Sequence, residues 1–190
     1  NAICVSGTHG KTTVTSMITQ ILVEKGLDIS AVIGGKLPII HGSGRAGKSE
    51  VMVCEACEFQ DHFLNLAVDT AVILNVDEDH LDYFKNLDNI IKSFHKFCEN
   101  TTKTIIINGD DENSMKAVEG IEGKEIITFG FNRENNYFAD NIVLNGLVTE
   151  FDAYCGGECL GRVTLNVAGR HNVLNALAAI AAAESVDVPF

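Results

Sequence analysis

Positive charge is what this 190-residue sequence has least of: 14 Lys and Arg stand against 26 Asp and Glu, a formal net charge of -12. No Lys/Arg cluster interrupts that balance, which argues against nucleic acid or an anionic membrane as partner, since both need a basic face. Long apolar runs are missing too. None reaches the roughly 18 residues of a membrane-spanning helix, and no secretory leader is visible. Internal repeats and low-complexity linkers are absent, so the length suits one full-sized domain with at most a small appendage. "NAICVSG" already reads as a buried strand and "ESVDVPF" stops just after a helix, so a piece of a longer chain is expected.

What is present alternates. Residues 2–6 read as a strand and 11–25 as a helix, where Val14, Met17, Ile18, Ile21 and Leu22 form one apolar stripe ended by Gly26. "ISAVIGG" reads as a second strand, and 36–49, which lack a clear period, as a long functional loop. "EVMVCEA", "TAVILNV" and "KTIIIN" are continuous apolar runs, as parallel strands covered on both faces require. Helices are expected at 86–99, with Ile90, Ile91, Phe94, Phe97 and Cys98 on one side, and at 111–119. The pattern predicts an α/β fold, a doubly wound, mostly parallel sheet of the mononucleotide-binding type. Residues 125–167 read as a small antiparallel sheet appended to it, with Asn145-Gly146 as a hairpin turn. A last, alanine-rich helix runs from 172 to about 185, with Asn172 as its expected N-cap.

The six cysteines include two close pairs, Cys54 with Cys57 and Cys155 with Cys159. A zinc-stabilised interaction domain is the alternative they raise. Buried free thiols in a reducing cytoplasm explain Cys4, Cys54 and Cys98 more simply.

Chemistry concentrates in three places. "CVSGTHGKTT" ends like the phosphate-loop pattern G-x-x-x-x-G-K-[ST], with Gly10, Lys11 and Thr12 in register, but Val5 stands at the first glycine position and Gly7 supplies a glycine two residues later. A strand precedes it and a helix follows, so backbone N–H groups at 7–13 (Gly7, Thr8, His9, Gly10, Lys11, Thr12, Thr13) would face phosphate, helped by the helix dipole. Lys11 would bridge terminal phosphates and Thr12 would ligate magnesium. Glu55 follows the next long strand, a carboxylate of the kind magnesium accepts, although it could equally mark a solvated strand end. His80 sits in "NVDEDHLDYF" after a third strand; magnesium seldom takes histidine, so His80 stands out by position rather than by donor type. All three lie past the carboxyl end of a predicted strand, where open α/β sheets bind ligands.

With these residues placed, the chain resembles the central, ATP-binding domain of the Mur ligases, which build the peptide stem of bacterial cell-wall precursors. "GTHGKTT" (7–13), "EACE" (55–58), "NVDEDHLDYF" (75–84) and "GRHNVLNALAA" (169–179) occur in the family's order, and the match spans essentially the whole chain. The resemblance is strongest to the branch that adds L-alanine. It implies ATP and Mg2+ as cofactors, UDP-N-acetylmuramate and L-alanine as substrates, a bacterial cytoplasmic location, and an acyl phosphate intermediate. It further implies that Lys11 orients the phosphates, that Thr12 and Glu55 hold one magnesium, that Glu55 and His80 serve a second, and that His171 and Asn175 contact adenine. Glu58 and the "GGKLPIIHGSG" loop would lie toward the muramyl end. Several relatives carry a carbamylated lysine fifteen residues past the motif histidine, where this sequence has His95 beside Lys96. The N-terminal UDP-binding and C-terminal domains of the family lie outside these residues. A muropeptide-recycling ligase, a folylpolyglutamate synthase and a non-catalytic nucleotide-binding module are the alternatives.

Overall fold

The computed structural model describes residues 1–190. Its first half runs β1 (Ala2–Ser6), α1 (Lys11–Glu24), β2 (Ser30–Leu37), β3 (Gly42–Arg45), β4 (Met52–Glu55), β5 (Thr70–Ile73), α2 (Leu81–Phe84) and α3 (Leu87–Asn100). Then follow β6 (Thr104–Asn108), α4 (Glu112–Ala117), β7 (Glu125–Gly130), β8 (Tyr137–Asn145), β9 (Val148–Cys155), β10 (Glu158–Leu165) and α5 (His171–Glu184). No helix is long and apolar enough to cross a membrane.

The strands form one sheet in the order β10-β9-β8-β7-β6-β5-β1-β4-β2-β3. From β2 to β7 every pairing is parallel. Antiparallel pairing is confined to the two ends, β3 on β2 and the β8–β9–β10 meander. The fold class is therefore the one expected, with one boundary displaced. β7 is not part of the antiparallel region: it continues the parallel sheet, from Thr104 opposite Glu125 to Asn108 opposite Phe129. Side-chain alternation is alike in parallel and antiparallel strands; direction is set by the path of the connection, here through α4. The antiparallel part also continues the main sheet rather than forming a second one, since β8 pairs with β7 at Phe129–Tyr137.

Residues 36–49 are more ordered than their lack of period suggested. They hold a 3-10 turn at Pro38–Ile40 and then β3, whose Gly42 and Gly44 supply backbone pairing but no side-chain pattern. In the β8–β9 hairpin Asn145 pairs with Val148, so Gly146, at φ +59°, and Leu147 turn the corner.

Successive residues of the inner strands feed opposite layers. Ile3, Val5, Val72 and Ile106 pack with α1 and α5, while Cys4, Ala71, Ile73, Ile105 and Ile107 pack with α3. α1 buries Val14, Ile18 and Leu22 and half-buries Met17 and Ile21, the predicted stripe. Gly26, at φ +88°, ends it, its N–H donating to Val23 O while that of Leu27 donates to Leu22 O. α5 is buried at every position from 175 to 183, which explains its alanines: small side chains let it sit close to both α1 and the sheet. On the other face Phe63 stacks on Phe97 at 4.6 Å and meets Phe94 edge-on at 5.3 Å.

Asn86 and Asp111 cap α3 and α4 by accepting from Asn89 N and Ser114 N. Asn172 does not cap α5. The helix starts one residue earlier, and from inside its first turn Asn172 donates backward to Ala168 O at 2.8 Å.

Candidate functional site

β1 releases the chain into Gly7-Thr8-His9-Gly10, and α1 begins at Lys11. Both glycines are obligatory for shape. Gly7 has φ +138° and a Cβ there would lie 3.1 Å from the backbone of Asn75; Gly10 has φ +91° and its Cβ would lie 2.8 Å from Asn175 Oδ1. No side chain caps α1, so its first N–H groups are left to an anion or to solvent. The segment after β5 holds the loop from behind. Asn75 O accepts from Thr8 N at 3.1 Å. The Asn75 side chain brackets His9, accepting from its N–H at 2.7 Å and donating to its carbonyl at 3.0 Å. Thr8 Oγ1 accepts from Asp77 N at 2.9 Å. In front lies a polar cavity of about 250 Å³ lined by Thr8, His9, Gly10, Lys11, Thr12, Thr13 and Glu55.

Two charged groups converge on that cavity. Thr12 Oγ1 sits 3.1 and 2.9 Å from the two oxygens of Glu55. Glu55 Oε2 also accepts from Gly34 N at 2.8 Å, an approach that only glycine permits, since a Cβ on Gly34 would lie 2.5 Å from the same oxygen. A hydroxyl and a carboxylate side by side are hard oxygen donors and fit magnesium. Lys11 folds back over the loop, donating to Gly7 O at 2.6 Å and to Glu58 Oε1 at 3.0 Å. Glu58 is only 2% exposed.

A second group stands next to the first. One ligand atom each from Glu58, Asp79 and His80 lies within 4.8 Å of the others. Residues 59–63 and 80–84 are clamped together: Phe59 packs on His80 with ring centroids 4.8 Å apart, and Asp61 accepts from Tyr83 at 2.8 Å and from Ser93. The carboxylate beside it pushes the Tyr83 phenol up. The grouping differs from the expectation in one respect: the carboxylates gathered at His80 are Glu58 and Asp79, whereas Glu55 faces Thr12 and Gly34.

Of the remaining candidates, Thr13 and His9 are exposed at the mouth, and His171 is exposed at the start of α5. Asn175 backs the loop at Gly10, with its Nδ2 donating to Asn172 Oδ1 at 3.1 Å. His95 Nδ1 lies 3.0 Å from Ala117 O, at the end of α4. The cysteine pairs do not converge: Cys54 lies beside Cys4 on the central strands, while Cys155 and Cys159 face each other's neighbours across β9 and β10 at the far edge. Sequence reasoning missed Asn75, Gly34 and Asp79. Asn75 and Gly34 fall within the runs "TAVILNV" and "ISAVIGG", which read only as strands, and Asp79 is one of several acidic residues in "NVDEDHLDYF".

Fold and loop together define a phosphate-loop α/β domain, with its ligand edge at the carboxyl ends of β1, β4 and β5. The model of the Mur ligase middle domain matches residues 5–183, and the chain belongs to that family. It is 43% identical, over 94% of its length, to UDP-N-acetylmuramate--L-alanine ligase of Caldanaerobacter subterraneus subsp. tengcongensis, of which it covers 39%. Among solved structures it is similar to the UDP-N-acetylmuramate-alanine ligase of Thermotoga maritima (TM-score 0.83, 28% identity, 98% of this chain and 42% of that one). The UDP-N-acetylmuramate:L-alanyl-gamma-D-glutamyl-meso-diaminopimelate ligase of Neisseria meningitides is similar to the same degree (TM-score 0.83, 30% identity, 98% and 62%). The chain thus spans about two fifths of the length of the curated relatives it matches.

Proposed function

We propose that the chain is the ATP-binding domain of a longer bacterial, cytoplasmic ligase that joins L-alanine to UDP-N-acetylmuramate. The observation that carries this is the convergence of Lys11, Thr12 and Glu55 on the loop cavity, supported by 43% identity to a ligase of that name. The N–H groups of Gly10 to Thr13 would receive phosphate oxygens, and Lys11 would leave Glu58 to meet the β- and γ-phosphates. Thr12 and Glu55 would hold magnesium, whose charge offsets that of the phosphates. Transfer of the γ-phosphoryl group to the muramyl carboxylate breaks the bond from Pγ to the bridging oxygen and yields ADP and an acyl phosphate. The L-alanine amine then attacks the acyl carbon, forming the amide as phosphate leaves. His171, exposed at the start of α5, would be free to meet the base, and Asn175 would pair with adenine by exchanging its bond to Asn172. Nucleic acid and membrane have no place in this reading.

The test has two arms. The chain should bind ATP, and Lys11→Ala should cost the full-length ligase on the order of 100-fold or more in rate. Near-normal ligation by that variant overturns the assignment. Offering L-alanine against a tripeptide separates this reading from the recycling ligase, the activity in the name of the Neisseria protein.

A further inference from the structure

Glu58 is the odd carboxylate of this site. It is almost wholly enclosed, one oxygen holds Lys11, and the other, Oε2, is buried with no hydrogen-bond partner. Buried carboxylate oxygens are rarely left so, because desolvation is then uncompensated. A carboxylate oxygen of Glu58 also lies within 4.8 Å of a donor atom of Asp79 and of His80. It therefore belongs to two groups that a bound polyphosphate would set against each other. Phosphate oxygens at Lys11 would crowd a carboxylate lying 3.0 Å from that ammonium, and like charges in an enclosed site repel strongly.

We propose that Glu58 is an exchanging carboxylate: with the loop empty it neutralises Lys11, and when phosphate takes the ammonium it turns to a divalent cation held with Asp79 and His80. The displacement by phosphate rests on the nucleotide reading above. The segments that carry the cation set are held together, since Phe59 packs on His80 and Asp61 accepts from Tyr83. Two carboxylates and an imidazole suit Mg2+ poorly through nitrogen but Mn2+ well, which makes Mn2+ the right probe. Cation and phosphate then assist one another, because each removes the partner that Glu58 would otherwise keep.

Mn2+ binding to the nucleotide-free protein, followed by electron paramagnetic resonance, tests the exchange without ATP. Lys11→Met frees Glu58 and should tighten Mn2+ about tenfold, with a histidine-nitrogen coupling in the pulsed spectrum that His80→Gln abolishes. Adding Glu58→Gln to Lys11→Met should remove the gain. Unchanged affinity in Lys11→Met, retention of the gain in the double variant, or bound Mn2+ without the nitrogen coupling would each overturn the proposal. In EDTA, Glu58→Gln alone, an isosteric change, should bind ATP several-fold more tightly than the parent, since Lys11 no longer has to be released; equal or weaker binding overturns it. Failure of every form to bind ATP would instead strike the proposed function, and the Mn2+ series would still decide on the cation set.

Discussion

Gly10→Ala probes how finely the loop is shaped. The backbone there sits at φ +91°, and the new Cβ would lie 2.8 Å from Asn175 Oδ1 and 3.1 Å from Leu74 Cδ1. Placing an L-residue in the left-handed region costs about 1–2 kcal/mol. Moving the Asn175 carboxamide aside breaks its 3.1 Å bond to Asn172, a further loss of about 0.5–1.5 kcal/mol. The sum is about 1.5–3.5 kcal/mol, which for a domain of this size is roughly 3–14 °C in Tm. Urea unfolding at constant m measures it directly. Asn175→Ala in the same background clears the clash but not the dihedral strain, so the double-mutant cycle should show coupling of at least about 0.5 kcal/mol. A Gly10→Ala protein within about 0.5 kcal/mol of the parent, or strictly additive variants, would refute the reasoning.

Other consequences are as definite. Phe63→Ala removes a ring that stacks on Phe97 and meets Phe94 edge-on, and should cost about 3–5 kcal/mol, read from the same unfolding curves. Asp69 accepts from Ala2 N and Thr102 Oγ1 and lies near Lys103, which hold its carboxyl down at about 2. A depressed carboxyl stabilises the fold above its unfolded value, so Asp69→Asn should cost about 1 kcal/mol at pH 7 after allowance for solvent screening. That difference should shrink as pH falls from about 4 to about 2; a difference independent of pH would count against it. Burial pushes the Cys98 thiol up to about 12, and Cys4 and Cys54 are buried beside each other, whereas Cys57 and Cys159 are exposed. A disulfide reagent on the native protein should therefore label Cys57 and Cys159, leaving Cys4, Cys54 and Cys98 until unfolding, and elemental analysis should find no stoichiometric zinc.

The inner strands were legible because burial on both faces forces unbroken apolar runs such as "TAVIL", and α1 because its stripe is regular. The direction of β7 was not, since no residue in 125–130 distinguishes a parallel neighbour from an antiparallel one. In the site, Gly7, Gly10, Lys11, Thr12 and Glu55 were readable from residue type and position past a strand. Asn75 was not: its work is to pair with the backbone of His9, sixty-six residues away, and such a partner leaves no local spacing to find. The family resemblance alone put Glu58 toward the muramyl end. Only the buried contact with Lys11 reveals the competition in which it takes part.

The loop, Glu55 and the segment bearing Asn75 and His80 depend from β1, β4 and β5, which are immediate neighbours in the middle of the sheet. Central strands of this kind are expected to open only with the whole unit, so the pocket does not ride on a fraying flap. A tight ligand there acts as a rivet: every increment of occupancy is felt as resistance of the entire unit to unfolding. Protease survival and melting temperature would then serve as gauges of pocket filling.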